Sequence, residues 1–275
     1  FICITSLSIF FTVLFLYTMA TRIIGEKGAL FTAGKNYSLF RPCYPSSLFD
    51  AIHSFGSFNQ PKLAVDIGCG TGQVSNILAE SFTTVIAVDP SSSQIEAAKS
   101  KSQKDNVQYF ITAGENLHMV DDNSVDLVTI AQTMHWLEQD LIWKECDRVL
   151  KPGGVIAIWG YTLPFVSGND LQSQDILDYH NWLWNNGFWD DKRKLLDDKY
   201  SHLNLPYKNH KEMDFIMHKE TSLDGLFGYL GTFSSYRTYL KRIETSEITL
   251  EDPFENTISK LKEHNSSDSV TISLP

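Results

Sequence analysis

Between residues 63 and 160, continuous apolar runs alternate with stretches whose apolar positions recur every three or four residues. "KLAVDIG", "TTVIAVD", "NVQYFIT", "SVDLVTIAQ" and "VIAIWGY" are short apolar runs, as expected of strands buried on both faces. "GQVSNILAESF" places Val74, Ile77 and Leu78 on one helical face, and "SSSQIEAAKSK" offers serines to cap a second helix. "EQDLIWKECDRVL" returns Leu141/Ile142, Cys146 and Val149/Leu150 at helical spacing, and "KPGG" is expected to stop it. Strands separated by helices of this length predict an α/β fold: a doubly wound, Rossmann-like, mostly parallel sheet with helices on both faces.

After Pro164 the pattern changes. Residues 165–210 are rich in Trp, Asp and Asn, and "YHNWLWNNGFWDDKRKLLDDKY" reads as helical and partly exposed. "KEMDFIMH" predicts a strand, "LDGLFGYLGTFSSYRTYLKRI" a helical pair, and "SVTISLP" a last strand. This half is expected to be a helical cap inserted into the sheet and completed by it. No internal repeat or low-complexity tract interrupts it.

The start of the chain has neither pattern. The first 21 residues carry no charged side chain before Arg22, enough to span a bilayer or serve as a signal segment. No basic residue opens the stretch, and "MATRIIGEKG" from Met19 reads as an ordinary cytosolic start. The preferred reading is an extension upstream of that start and a cytoplasmic protein; a membrane anchor through residues 1–20 and a signal peptide are the alternatives.

Composition narrows the field. The chain has 275 residues, 43% hydrophobic and 20% charged, which is ordinary globular usage. A formal charge of −10 argues against a general nucleic-acid binder, which carries a basic face. Cys3, Cys43, Cys69 and Cys146 form no CxxC pair, so neither a metal site nor a disulfide framework is expected.

The chemistry is concentrated in "VDIGCGTG". Gly68, Gly70 and Gly72 follow the first strand, where glycines allow a tight turn and close backbone approach to a ligand. Asp89 ends the second strand 21 residues after Gly68, suited to accept both hydroxyls of a ribose. Together they point to a nucleoside cofactor. A dinucleotide motif would read G-x-G-x-x-G, whereas here the third glycine arrives one residue early. Asp66, two residues before the first glycine, is also poorly placed for a pyrophosphate and well placed for a cationic cofactor.

These residues resemble class I S-adenosylmethionine-dependent methyltransferases of the type 11 branch. "VDIGCGTG" is similar to their cofactor loop, "VIAVDPS" to their ribose-binding strand end, and "AGENLHMVDDNSVDLVTIAQTMHW" to the segment passing the adenine. "RVLKPGGVIAIWGY" looks like the turn into the fifth strand. "NYSLFRPCYPSSLFDAI", the pair His135-Trp136 and "IAIWGY" further resemble the branch that contains fungal trans-aconitate methyltransferase and its plant and animal relatives. Beyond residue 165 the likeness rests on "GFWDDKRK" and "YLGTFSSYRTYL". The expected organisation is a hydrophobic leader at 1–20, an N-terminal lid segment at 21–62, a cofactor-binding core at 63–162, and a cap with the last strands of the sheet at 163–275.

The resemblance also implies a site. Asp66, Gly68, Gly70, Thr71 and Gly72 would surround the methionyl portion and Asp89 the ribose. Pro90 and Ser91 would flank the adenine, with Ala113, Gly114 and Glu115 on its other side. Gln132, His135 and Trp136 would face the cleft, and Tyr37, Arg41 and Tyr44 would close over it. Each has a plainer reading: a tight turn for the glycines, a helix cap for Asp89, a solvated acid for Glu115, a structural hydrogen bond for His135. Trp136 and Trp159 can be core, and Trp182, Trp184 and Trp189 read as packing of the cap.

Methyl transfer from a sulfonium is an in-line displacement that depends on alignment and exclusion of water. A carboxylate acceptor is already ionised at neutral pH and needs no base. Arg41, Tyr44, His135, Trp136, Tyr161 and Arg237 are the candidate substrate residues; Arg41, His135, Tyr161 and Arg237 suit the non-reacting groups of a polycarboxylic acid. A phenol, thiol or amine acceptor would need a base, for which His135 is the best-placed residue. The expected activity is O-methylation of a small organic acid. The alternatives are a larger lipid or quinone acceptor, an NAD-linked oxidoreductase, and a non-catalytic protein that binds S-adenosylmethionine.

Overall fold

The computed structural model describes residues 2–4, 40, 43–265, 267 and 269–275. These form two compact units. The first comprises Cys43–Tyr161 and Leu195–Phe215 with the strand Ile2–Ile4, and the second comprises Thr162–Lys194 and Ile216–Pro275.

The first unit is built on a parallel sheet. Its strands are β1 (Ile2–Ile4), β2 (Leu63–Ile67), β3 (Thr84–Asp89), β4 (Val107–Ile111), β5 (Val125–Ala131), β6 (Leu150–Trp159) and, from the later segment, β8 (Lys211–Met213). They lie in the order β4-β3-β2-β5-β6-β1-β8, and every pair is parallel. The five apolar runs thus become five adjacent strands, with β4 at the edge of the sheet and the other four inside it, where strands covered on both faces can be apolar at every position. Helices α2 (Gln73–Leu78), α3 (Ser92–Lys101) and α4 (Gln139–Val149) connect them.

One further helix, α1 (Ser46–Gly56), precedes β2. Pro45 leads into it, and Leu48, Phe49 and Ile52 recur at helical spacing. They pack with Val74, Leu78, Phe82, Leu127, Val155 and Trp159 in the main core. Burying such side chains is worth roughly 1.5–3 kcal/mol each. At the amino ends of the strands, Asp126 accepts the N–H groups of Lys62 and Leu63 at 2.8 and 3.0 Å and the Lys151 ammonium at 2.8 Å. One carboxylate thereby ties the starts of β2, β5 and β6.

Three expectations change. "KPGG" does not separate α4 from β6. The helix ends at Val149, the strand begins at Leu150, and the pairing jumps from Val125↔Leu150 to Leu127↔Val155, so these residues form a bulge inside β6. "KEMDFIMH" is two strands, β8 and β9 (Met217–Ser222), and they belong to different sheets. The final strand, β10 (Ser269–Leu274), does not complete the parallel sheet. It pairs antiparallel with β9 and with β7 (Phe165–Val166) in a separate three-stranded sheet. Local periodicity identifies a strand, but the choice of neighbour is made by tertiary packing. The short strand β1 also gives part of the apolar leader a place beside β6.

The second unit adds α5 (Asp170–Asn185), α7 (Leu223–Leu230), α8 (Ser234–Glu244) and α9 (Pro253–Glu263) to that small sheet. The short α6 (Lys194–Asp197) lies where the chain returns to the first unit. The long Trp-rich segment is therefore not one helix: α5 stops at Asn185, and Gly187 follows with φ +70°. The core of the second unit is aromatic. Tyr179 stacks on Phe233 and meets Tyr236 and Phe254, while Trp182 stacks on Phe188. Trp189 packs on Phe233, and the Arg193 guanidinium lies 3.8 Å above the Trp189 ring. The packing reading of Trp182 and Trp189 fits these contacts, and Trp184 stacks on His180. Among the described residues, no helix is long and apolar enough to cross a membrane.

Candidate active site

β2 and β5 are neighbours although the chain visits β3 and β4 between them. Strand order reverses there, and ligands of open parallel sheets settle beyond the carboxyl ends of the strands at such a point. The glycine turn leaves β2 at this place. Gly68, Gly70 and Gly72 all have positive φ, at 67°, 54° and 81°, a region costly for residues with a Cβ. Their surroundings differ. A Cβ on Gly68 would lie 2.3 Å from Thr133 Oγ1 and one on Gly72 2.6 Å from the Tyr109 hydroxyl, but one on Gly70 would meet nothing within 4 Å. The outer glycines let the turn sit close against its neighbours, and the middle one fronts open space. Thr71 is buried between them.

Asp89, the last residue of β3, holds that turn in place. Its Oδ2 accepts the Gly70 N–H at 3.0 Å and its Oδ1 accepts the Ser91 N–H at 2.9 Å. Partial burial raises its pKa, and the bonds from Ser91 and Gly70 act against the rise. A carboxylate has about four lone-pair sites, so two remain for other donors.

Asp66 lies deeper. It is 1% exposed, with Oδ2 accepting the Ser75 hydroxyl at 2.6 Å and Oδ1 the Thr129 hydroxyl at 2.9 Å. Thr129 is its register partner on β5. Burial pushes the Asp66 carboxyl up to about 6; the two hydroxyls pull it down, and the Asp89 charge adds a smaller upward push. The structure places this side chain beneath the turn rather than on its open surface.

Around the turn, Pro90 is exposed, and Ser91 occupies the N-cap position of α3 with its hydroxyl 3.0 Å from that of Ser93. After β4, Ala113 is exposed while Gly114 is buried, where a Cβ would come 2.3 Å from Ile67 Cγ2. Glu115 accepts the Glu138 N–H at 2.9 Å, which ties this loop to the start of α4. After β5, Gln132 has φ +58°; its N–H reaches the Trp159 carbonyl at 2.8 Å and its side-chain amide the Tyr161 carbonyl at 3.4 Å. These bonds hold a non-glycine residue in the left-handed region, a conformation that persists only where its surroundings impose it.

His135 and Trp136 lie in a short 3-10 turn, Met134–Trp136. His135 is 4% exposed, its Nδ1 lies 3.1 Å from the Tyr200 hydroxyl, and the two rings stack. The Trp136 ring lies tilted against His135 at 5.3 Å between centroids. Tyr44 meets Trp159 edge-on at 5.5 Å and Tyr161 at 6.0 Å. Trp159 and Tyr161 are both buried. Arg237 lies on α8 of the second unit. The expectations for Tyr37 and Arg41 fall outside the described residues.

Sequence reasoning missed Thr129, Ser75, Thr133, Tyr109 and Tyr200. Thr129 had a signal, being a lone hydroxyl in an apolar strand like the lone acid of β2. Tyr200 had none, since 65 positions separate it from His135.

A glycine turn at the switch point of a parallel sheet, held by an acid at the end of the next strand, defines a protein that binds a nucleoside-bearing cofactor. Comparison with known proteins narrows the class. Residues 65–158 match the family model described as a methyltransferase domain. A Dictyostelium discoideum protein whose assigned name is methyltransferase is 33% identical over 208 residues, 75% of this chain and 77% of that protein. A Saccharomyces cerevisiae protein assigned as an S-adenosylmethionine-dependent methyltransferase is 31% identical over 181 residues, 64% of this chain and 60% of that one. A solved structure from Anaeromyxobacter dehalogenans, titled as a type II methyltransferase, has a TM-score of 0.71 at 30% identity, covering 86% of this chain and 94% of that one. The chain belongs to this family of class I methyltransferases, and S-adenosylmethionine is its cofactor. The oxidoreductase alternative falls with that assignment.

Proposed function

We propose that this methyltransferase acts on a small organic acid and converts one of its carboxylates to a methyl ester, as the likeness to the trans-aconitate branch implies. Bound S-adenosylmethionine supplies an electrophilic methyl group. Asp89 is suited to take the ribose hydroxyls on its two remaining lone-pair sites. The Gly68–Gly72 turn would receive the methionyl end through its backbone, with Thr71 beside it and Asp66 contributing from beneath. Pro90 and Ser91 on one side, and Ala113, Gly114 and Glu115 on the other, would hold the adenine. Residues 63–162 then carry the cofactor-binding part of the chain.

The observation that carries the acceptor reading is the partner of His135. Its Nδ1 lies against the Tyr200 phenol, an uncharged group that orients the ring. Such a histidine serves better as a hydrogen-bond donor to an acceptor that is already ionised. Tyr44, which packs on Trp159 and on Tyr161, brings two further phenols together on the same unit. A carboxylate requires only positioning, and this arrangement is one of positioning groups.

The test is turnover of S-adenosylmethionine by the full chain with a panel of di- and tricarboxylic acids, using trans-aconitate as the lead compound. Formation of S-adenosylhomocysteine together with a base-labile ester is the expected result. Turnover with phenols, quinones or lipids and none with any carboxylic acid would overturn it.

A further inference from the structure

Between β4 and β5 the chain runs from Thr112 to Ser124 without a strand or helix, and this loop carries Ala113, Gly114 and Glu115. The hydrogen bonds within it are local. The Asn116 N–H reaches the Ala113 carbonyl at 3.1 Å, the Thr112 hydroxyl the Asn116 carbonyl at 3.1 Å, and the Val120 N–H the Leu117 carbonyl at 2.8 Å. Bonds of such short span leave the path of the whole loop undetermined, and fixing that path costs conformational entropy.

The path is set by α4. At the start of the helix, Glu115 accepts the Glu138 N–H at 2.9 Å. Gly114 presses on the same region, since a Cβ there would lie 2.3 Å from Ile67 and 3.4 Å from Leu137. At the other end, Glu145 and Arg148 stand one turn apart and grip each other side-on, with Nε to Oε2 at 3.0 Å and Nη2 to Oε1 at 2.8 Å. Both then reach the loop. Glu145 Oε1 accepts the Leu117 N–H at 2.6 Å, and Arg148 Nη2 donates to the Leu117 carbonyl at 3.0 Å. Arg148 Nη1 donates to the Val120 carbonyl at 2.9 Å and to the Asp122 carboxylate at 2.6 Å. One ion pair thus binds both backbone groups of Leu117, and the Leu117 side chain is itself fully buried.

An isolated half-exposed ion pair is worth little, but a bidentate arginine–carboxylate pair inside a network is the exception. The Arg148 guanidinium holds the Glu145 carboxyl below its ordinary range, so the pair is charged at neutral pH. A lysine, a point charge on a flexible stem, cannot serve two carbonyls and two carboxylates in this fork geometry. Arg148 does all this from a distance. Val149 ends α4 and Leu150 begins β6, so Arg148 lies at the amino ends of the parallel strands, opposite the glycine turn.

We propose that Arg148 is a positioning residue for the cofactor: with Glu145 it fixes the loop 112–124 along α4, so that Ala113, Gly114 and Glu115 are in place for the adenine before it binds. The adenine clause rests on the cofactor placement proposed above, whereas the fixing of the loop does not. Arg148 itself touches no cofactor. It sets the share of molecules whose loop is already in place, and apparent affinity scales with that share.

The experiment combines calorimetry and amide exchange of the full chain, with S-adenosylhomocysteine as the probe. In the wild type, the 15N–1H signals of residues 113–115 should move when the probe binds, and the Leu117 amide should exchange slowly with or without it. Arg148→Lys keeps the charge and loses the fork. It should leave Leu117 unprotected, bind the probe roughly 10-fold more weakly, and regain protection when saturated; that loss corresponds to about one molecule in ten having its loop in place. Glu145→Gln should act in the same direction and replaces Arg148→Lys if that variant does not fold. A merely structural arginine would shift the unfolding midpoint without coupling Leu117 exchange to the probe. Leu117 still protected in the folded variants overturns the proposal, as does Leu117 unprotected at unaltered affinity or even at saturation. Wild-type signals of residues 113–115 that stay unmoved overturn the adenine placement instead, and the proposal falls with it.

Discussion

Asp66 in the first unit and Asp252 in the second are both carboxylates withdrawn from water and given hydroxyl partners, yet they sit in unlike settings. Asp252 accepts the Tyr236 hydroxyl at 2.9 Å and, as the N-cap of α9, the Phe254 N–H at 2.8 Å. Its donors come from a cluster of aromatic rings, and the arrangement closes on itself: a cap and a clamp between two helices. Asp66 takes hydroxyls from α2 and β5 and lies under a turn whose central glycine faces open space. Its burial supports a surface that has been left unfilled. The first unit thus places buried polarity at the open ends of parallel strands, where a ligand can use it, while the second uses it to join helices. Burial of a polar group is therefore not by itself a mark of function.

The most damaging change should be Gly68→Ala. Positive φ and the approach to Thr133 together are expected to cost about 2–4 kcal/mol of folding stability, read by denaturant titration. Gly70→Ala, with only its backbone conformation to disturb, should lose about 1 kcal/mol; equal losses would remove the distinction between the packed and open glycines.

Next in size is a pH effect. The Asp66 carboxyl is held near 6 when folded, against 3.8 for the free side chain. A raised carboxyl pKa favours the folded protein at low pH, and that contribution disappears as pH rises from about 4 to about 6. The difference corresponds to roughly 3 kcal/mol. Asp66→Asn should flatten this part of the stability–pH curve relative to wild type, and parallel curves would show that Asp66 is ionised normally.

Asp89→Ala should weaken S-adenosylmethionine binding by ~1–3 kcal/mol through lost charge-assisted hydrogen bonds. Calorimetry with unchanged affinity in a folded variant would leave Asp89 as a brace for the turn only. The smallest effect belongs to the second unit. Tyr236→Phe should cost about 1 kcal/mol of stability with cofactor affinity unaltered, and a change in affinity would break the division drawn between the units.

The strands, the glycine turn and Asp89 were legible because each is a local pattern. An apolar run of five to seven residues is a buried strand wherever it lies, and glycine spacing reports a backbone conformation directly. The resemblance to methyltransferases rested on the same local stretches. α1 could have been read from Pro45 and the spacing of Leu48, Phe49 and Ile52.

What the residues alone determined, then, is a parallel α/β core with a nucleoside-cofactor turn at its switch point. Tertiary structure decided which strands became neighbours, sending β8 to the parallel sheet and β10 to the antiparallel one. It also chose which hydroxyls meet Asp66 and which phenol meets His135. Those partners are 63 and 65 positions away in the cases of Thr129 and Tyr200. No periodicity reaches that far, because pairing between distant side chains is selected by packing and by the need to satisfy buried polar groups.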